Sequence, residues 1–438
     1  MSIFSGRFMY SNSFKIDLNN VLISTIMKYD VIVIGAGITG LTSAYHMKKR
    51  YPDLKMLVVE KASTFSQGNT AKSAAAFRDF FSLRENQIMA QASIDFYKHL
   101  QNDLNIDLGM KFCGYLFLFD SEKDEDFVSK YPHSKIIYED LSKIFNMEIS
   151  GETKKIMDID SIKTAIIDSN AGIIEPDLMS QYYYNELIQM GVEVKFNTEV
   201  KKLGIEPENS LNYPGEPFNW QKSSIKYIET PKEKIYSDFF VLCTDVWTTD
   251  LLDPIGIDSH LRPKKRQIFQ LTSPGIKEII NKNEFNDSGV FPFTIFPSGV
   301  YARPYPQASA FWTSLADDIN RDYSFTEKPE PEPEFYTYNI KPIFDTYFPA
   351  FQNSKITSSW AGYYSYNTID FMPYIFNALN MVIVSGTTGG GIMKGDSIGR
   401  VVAARYNHEK TTKLYNGERM TNTYNGKYRT TKIEDMVL

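Results

Sequence analysis

The sequence predicts a mixed α/β chain, α+β overall: a parallel-sheet domain with an antiparallel-sheet domain interleaved into it. Three observations carry that expectation. An unbroken apolar run, "VIVI" at 31–34, reads as a parallel strand buried on both faces, and a glycine turn, a helix and a second strand follow it. Beyond residue 256, "RPKKRQIFQLTS", "TIFPSGVYARPY" and "SAFWTSLAD" read as antiparallel strands. At 438 residues the chain is also too long for one simple core and suits two domains.

The first strand leads into Gly35-Ala36-Gly37-Ile38-Thr39-Gly40. A helix is predicted from about Ile38, with Ile38, Leu41 and Tyr45 on one face. Lys48, Lys49 and Arg50 close it, suiting the negative end of the macrodipole before Pro52. The second strand, "KMLVVE", finishes at Glu60, 25 residues after Gly35, and Lys61 follows. Strand, helix and terminal acid give the dinucleotide fingerprint its full context. The glycines permit a tight turn and a close pyrophosphate approach, the helix N-terminus faces the phosphates, and Glu60 can take a ribose hydroxyl pair. An acid there disfavours a 2′-phosphate, hence NADP. NAD and the ADP half of FAD are served equally by these residues, so a Rossmann-like domain is expected with its cofactor still open.

Composition excludes several function classes. The chain is 42% apolar and 23% charged with net charge −6, and its Lys and Arg are scattered, so no nucleic-acid partner is expected. Cys113 and Cys243 form neither a disulfide framework nor a C-x-x-C, which suits a reducing, cytoplasmic setting. The five histidines show no ligand spacing, so no metal is expected. No apolar run approaches the ~18 residues of a membrane helix. "VLISTIM" is too short, and it follows "KIDLNN" without a cleavage site, so no signal peptide is expected either. Residues 1–26 are expected to be an extension, with Met27 a candidate start.

Near the other end, "GTTGGGIMKGDSIGR" (386–400) holds Gly386, Gly389, Gly390, Gly391 and Gly395. Glycines that dense bring backbone close to something flat or charged. Three more segments accompany it: "GNTAKSAAAFRDFFSLREN" (68–86), "AGIIEPDLMSQYYYNELIQMGVEVKFNTEV" (171–200) and "DFFVLCTDVWTTDLL" (238–252). With "WAGYYSYNTIDFMPYI" (360–375) leading into the glycine loop, the chain resembles the D-amino-acid-oxidase-like FAD-dependent oxidoreductases, of the glycine and sarcosine oxidase type. Through "AAAFRDFF", "RPKKRQIF", "GIMKGDSIGR" and the tail "LYNGERM…MVL", it is nearest to the archaeal dye-linked L-proline dehydrogenases.

That resemblance implies FAD. It puts Ser73, Ala74, Ala75 and Arg78 beside the isoalloxazine, and Val200 against the adenine. Cys243, Thr244 and Trp247 belong to a turn where Asp245 replaces the family's glycine. Gly389, Gly390, Gly391, Ile392, Met393 and Lys394 would wrap the flavin ring, with the next helix aiming its N-terminus at the pyrimidine end. The family's tethering cysteine falls near Tyr363, and its tethering histidine has no counterpart in "NTAKSAAA", so noncovalent FAD is implied.

The implied reaction oxidises the C–N bond of a small amino acid by hydride transfer to flavin N5. Arg78 and Arg303 are the candidate carboxylate clamp, although a structural role suits Arg303 as well. Tyr301 and Tyr364 are candidate phenols and Lys394 a candidate stabiliser of charge. The lysine with which sarcosine oxidase activates O2 has no counterpart in "AFWTSL" (310–315), which favours L-proline dehydrogenase with another acceptor or an electron-transfer partner. The alternatives are a sarcosine, dimethylglycine or glycine oxidase or dehydrogenase, a 2-hydroxy-acid dehydrogenase, or a flavin-binding assembly factor without amine turnover. The protein would be cytoplasmic or peripheral to the inner face of the membrane, without a span.

The FAD-binding domain is expected to be discontinuous, at 27–110, 170–255 and 355–410. The substrate domain would take 111–169 and 256–354, leaving a tail at 411–438. "TEKPEPEPEF" (326–335) reads as a polar loop.

Overall fold

The computed structural model describes residues 28–282, 285–421 and 433–435. The expected extension at 1–26, the candidate start Met27 and most of the tail beyond residue 421 lie outside the described residues.

The first of two eight-stranded sheets is built around Lys28–Ile34, which lies parallel to Lys234–Leu242 on one side and Met56–Val59 on the other. Met381–Ser385 and Glu193–Lys195 extend it in parallel, and Tyr374–Ala378 closes an edge antiparallel. Residues 31–34 are buried on both faces, as the apolar run requires. The helix Ile38–Arg50 follows, with both ends where the sequence places them. It crosses the helix Gly395–Tyr406 almost backbone to backbone: a Cβ on Gly399 would lie 2.4 Å from the Thr42 carbonyl oxygen.

The second sheet runs Lys355–Asn367, Leu261–Thr272, Ala310–Ser314, Tyr301–Tyr305, Phe293–Ile295, Tyr115–Phe119, Thr164–Asp168, Ser134–Ile137. Its neighbours are antiparallel except at one joint, where Phe293–Ile295 runs parallel to Tyr115–Phe119. That joint unites two chain segments far apart in sequence, so no hairpin dictates its direction. An aromatic core including Phe145, Phe291, Phe296, Phe344 and Phe348 backs this sheet.

The segment 355–410, expected within the FAD-binding domain, contributes to both sheets. Lys355–Asn367 pairs along its length with Leu261–Thr272 in the second sheet, and Tyr366 then bridges to Thr387 beside the first. The strand therefore stitches the two layers together along the wall of the main cavity.

Candidate functional site

A cavity of about 410 Å³ lies between the sheets, lined by Ile34, Val59 and Val384 from the first and by Ile268, Tyr301 and Ser314 from the second. The fingerprint turn forms one end of it, and its three glycines have separate causes. Gly35 sits at φ +100°, where an added Cβ would come within 2.5 Å of the Cys243 carbonyl oxygen. A Cβ on Gly40 would fall 1.9 Å from the Gly35 carbonyl oxygen, so this glycine lets helix and turn meet. At Gly37 the nearest obstacle is Thr70 Oγ1 at 3.4 Å, and the open side faces the cavity. The N-cap residue of the helix Ile38–Arg50, Gly37, supplies no side-chain cap, and no acid stands in its first turn; Thr70 Oγ1 accepts from Ile38 N alone, at 3.2 Å. Its positive end is left for an anion.

Glu60 lines the cavity beyond the second strand. It accepts from Ala36 N at 2.7 Å and from Ala62 N at 2.9 Å, which fixes the carboxylate while each oxygen keeps a lone pair for a hydroxyl. Lys61, Val200, Thr244 and Trp247 continue the wall, with Ile38, Thr39 and Ile392 nearby. Asp245, standing where the family pattern has glycine, adopts φ +50°, a conformation Asp tolerates. Asn69 Nδ2 donates to its Oδ2 at 2.6 Å, so the tight turn survives the substitution. Cys243 lines the cavity with a buried thiol pushed up to about 12 by desolvation, an inert wall. Ala36 and Gly40 are buried behind the lining and act through the backbone.

A recess of about 60 Å³ adjoins this cavity, sharing Ser73, Ala74, Tyr301, Tyr364 and Gly389 with it. Ala75, Gly390 and Met393 also line the recess, and Arg78 and Lys394 converge there. Arg78 is buried, with its guanidinium 4.2 Å over the Phe81 ring and Nη1 donating to the Phe80 carbonyl. Lys394 Nζ lies 4.1 Å over the same ring. Burial lowers the Lys394 ammonium to about 7, and Glu434 partly offsets that. Glu434, from the C-terminal tail, accepts from Ser82 N, Ser82 Oγ, Leu83 N and Asn86 Nδ2 at 2.7–3.1 Å, which ties the tail to the chain leading into the helix Arg84–Lys98. Burial holds the Tyr301 and Tyr364 phenols protonated.

Two sequence expectations meet a different geometry. Arg303 does not line either cavity. It is fully buried, and its guanidinium donates to the carbonyls of Ala74, Pro304, Ala75 and Ile174 at 3.0–3.4 Å, while stacking 4.2 Å over Trp312. Those donors are spent on the main chain, so Arg303 clamps the protein and not a ligand. The helix Gly395–Tyr406 likewise keeps its first turn for the fold: Asp396 N donates to Tyr97 Oη and Ser397 N to Ser93 Oγ.

Sequence reasoning missed Arg266. It lines the main cavity, lies 5.2 Å over Tyr364, pairs with Asp317 and Asp318, and leaves Nε buried without a partner. Its place within the basic run "RPKKR" gave no hint that the side chain turns inward. Thr70 and Asn69 lay within a quoted segment, whereas Glu434 and Glu327 reach the site from distant segments with no local signal.

The residues fit a dinucleotide: an open glycine face, a helix with glycine at its N-cap and a fixed acid converge on one elongated wall. Among the described residues no cluster could hold a metal, and no helix is long and apolar enough to cross a membrane. The fold is shared with the L-proline dehydrogenase of P. horikoshii (TM-score 0.66, 23% identity, 86% of this chain and 92% of that one). It is shared also with glycine oxidase from Geobacillus kaustophilus (TM-score 0.65, 15% identity, 88% and 96%). In sequence, the chain is 25% identical over 409 residues to FAD-dependent oxidoreductase domain-containing protein 1 of Xenopus laevis, covering 85% of this chain and 78% of the relative. It is 24% identical over 185 residues to sarcosine oxidase subunit beta of Rhizobium meliloti (strain 1021), covering 41% and 44%. A family model described as DAO, FAD dependent oxidoreductase, matches residues 30–405. The chain therefore belongs to the DAO family of FAD-dependent oxidoreductases, and FAD is its cofactor.

Proposed function

We propose that this chain oxidises the C–N bond of a small amino acid bearing a secondary nitrogen, L-proline first, and passes the electrons to an acceptor other than O2. The observation that carries the reading is the pair of buried cations, Arg78 and Lys394, in an aromatic-walled recess that adjoins the main cavity. Two cations converging on one recess suit a carboxylate ligand, which a guanidinium and an ammonium can hold together. The named chemistry of the proline dehydrogenase and glycine oxidase neighbours agrees in class.

Bound FAD, held noncovalently, supplies the two-electron acceptor for the C–H bond next to nitrogen. The chain's own part is positioning. Arg78 and Lys394 hold the carboxylate, Tyr301 and Tyr364 set the carbon skeleton, and Phe81, Tyr115 and Phe293 exclude water. An amine that binds neutral needs no strong base from the protein. Arg266 is the weaker clamp, because Asp317 and Asp318 already balance its charge. The non-O2 acceptor rests on the absence of lysine from 310–315.

The test is anaerobic addition of L-proline, then sarcosine, D-alanine and lactate, to the FAD-loaded protein. Bleaching of the visible flavin band by proline alone, with dye reduction and no peroxide, is the expected result. Bleaching by a different compound reassigns the substrate. A yellow protein unmoved by all four sets amine turnover aside.

A further inference from the structure

The polar segment 316–332 is tied down at both ends and in the middle, by contacts that are mostly ionic. Near its start, Asp318 takes Lys264 Nζ on its carbonyl at 2.6 Å, and Arg266 reaches both Asp317 and Asp318. Near its end, Glu332 pairs with Lys265 and Arg321 and accepts from Gln267. In the middle it crosses to the other layer. Glu327 Oε2 meets Lys61 Nζ at 3.0 Å, and Glu327 Oε1 accepts from Trp247 Nε1 at 2.8 Å. Lys61 Nζ itself stands 3.8 Å over the Trp247 ring.

One neighbour reinforces the crossing and the next anchors it to the second layer. Phe325 packs edge-on against Trp247 at 5.6 Å, and Thr326 N donates to Tyr363 Oη at 2.8 Å. Lys61, Trp247, Tyr363 and Glu327 all line the main cavity, and Lys61 directly follows Glu60, the acid suited to the ribose. One carboxylate from the second layer thus joins two side chains of the first across the ribose end of the cofactor cavity. Such a contact adds little to folding, because Glu327 is well exposed and each layer is complete without it. Its placement matters for what lies beneath it.

We propose that the segment 316–332 is an electrostatic latch on the FAD, with Glu327 as its bolt: the cofactor leaves only when the Lys61–Glu327–Trp247 contact opens. Glu327 is thereby a positioning residue that sets cofactor residence and touches neither substrate nor flavin ring. The inference rests on FAD occupying the main cavity.

The experiment measures the FAD dissociation rate of the loaded full-length protein, from the fluorescence gained on release, at low and high salt. Glu327→Gln, Glu327→Ala and a distant control, Glu208→Gln, are compared with wild type; Glu208 pairs with Lys222 on the surface. Release should quicken roughly three- to tenfold in Glu327→Ala and less in Glu327→Gln, which keeps an acceptor for Trp247 Nε1. Salt should quicken release from wild type more than from Glu327→Ala, which has lost the Lys61 pair but keeps the ionic anchors at Lys264, Lys265 and Arg266. The control should match wild type, and the apoprotein melting temperature should be the same in all four. A wild type that holds FAD with release unchanged in Glu327→Ala overturns the latch alone. A lowered apoprotein melting temperature with unchanged release makes Glu327 a structural contact and overturns it too. A wild type that takes up no FAD overturns the cofactor assignment and the latch together.

Discussion

The two glycine-rich turns, 35–40 and 386–395, look alike in sequence and work differently. In the first, one glycine is demanded by backbone conformation, one by helix contact, and Gly37 is left open toward the cavity at the N-cap of a helix. In the second, most of the missing side chains are replaced by the protein's own groups. A Cβ on Gly389 would meet the Tyr364 ring at 2.6 Å, one on Gly390 would meet Lys394 Nζ at 2.8 Å, and one on Gly386 would meet Asn367 Cβ at 2.5 Å. Gly391 alone of the triplet keeps ordinary contact distances, 3.5 Å to Thr387 Oγ1. The first turn is a mould left open toward the cavity; the second seats the side chains that build the recess. Glycine density alone does not separate these uses.

The largest expected effect tests the first turn as a rigid unit. Gly40→Ala sets a methyl against backbone on a helix that cannot shift, so the apoprotein should lose about 4 kcal/mol or more in denaturant unfolding. A loss below ~1 kcal/mol would show that helix and turn separate easily and would break the comparison. Gly389→Ala comes next. Its φ of +76° and the Tyr364 ring both oppose a methyl, but a ring can turn, so a loss of about 1–3 kcal/mol is expected, with FAD still bound and carboxylate ligands weakened.

Lys394→Met tests the recess with the fold kept. Affinity for a carboxylate ligand, read by flavin spectral shift, should fall by about tenfold, roughly 1.4 kcal/mol, below pH 7. The lysine is charged below about 7 and neutral above it, because burial has lowered its proton affinity. Wild-type affinity should therefore decline as pH rises through that value, whereas the variant's should stay flat. A wild-type profile without that decline would remove Lys394 from the clamp. Gly37→Ala should disturb folding least, by under ~0.5 kcal/mol, since its φ is −72° and space is open. Weaker FAD binding in the same variant, measured by titrating apoprotein, would sharpen the contrast between mould and seat.

Legibility in the sequence followed the range of the forces involved. The helix Ile38–Arg50 and its flanking strands were readable because an apolar run, a glycine turn and a basic end are all local. Arg78 and Lys394 were reachable through family resemblance, yet their meeting in one recess was not, because 316 positions separate them. Arg303 misled for the opposite reason. An arginine on a strand near a cavity suits a clamp until its donors are counted against four carbonyls. Lys355–Asn367 belongs to the second sheet through pairing with Leu261–Thr272, a long-range choice that alternation cannot announce. Glu327 and Glu434 sit in polar stretches where nothing marks one acid from its neighbours.

The interleaving of the two sheets also bears on how the chain is made. As it emerges from the ribosome, Lys28–Ile34 must wait for Lys234–Leu242 before its second neighbour exists, and Tyr115–Phe119 must wait for Phe293–Ile295. Neither sheet gains its last strand until Lys355–Asn367 and Met381–Ser385 have been translated. A nascent chain halted before residue 355 would thus present two open, apolar sheet edges at once, the species that chaperones hold and that aggregates form from. A chain that stops between residues 315 and 355 therefore exposes more apolar sheet edge than one that stops before the second sheet's central strands are made.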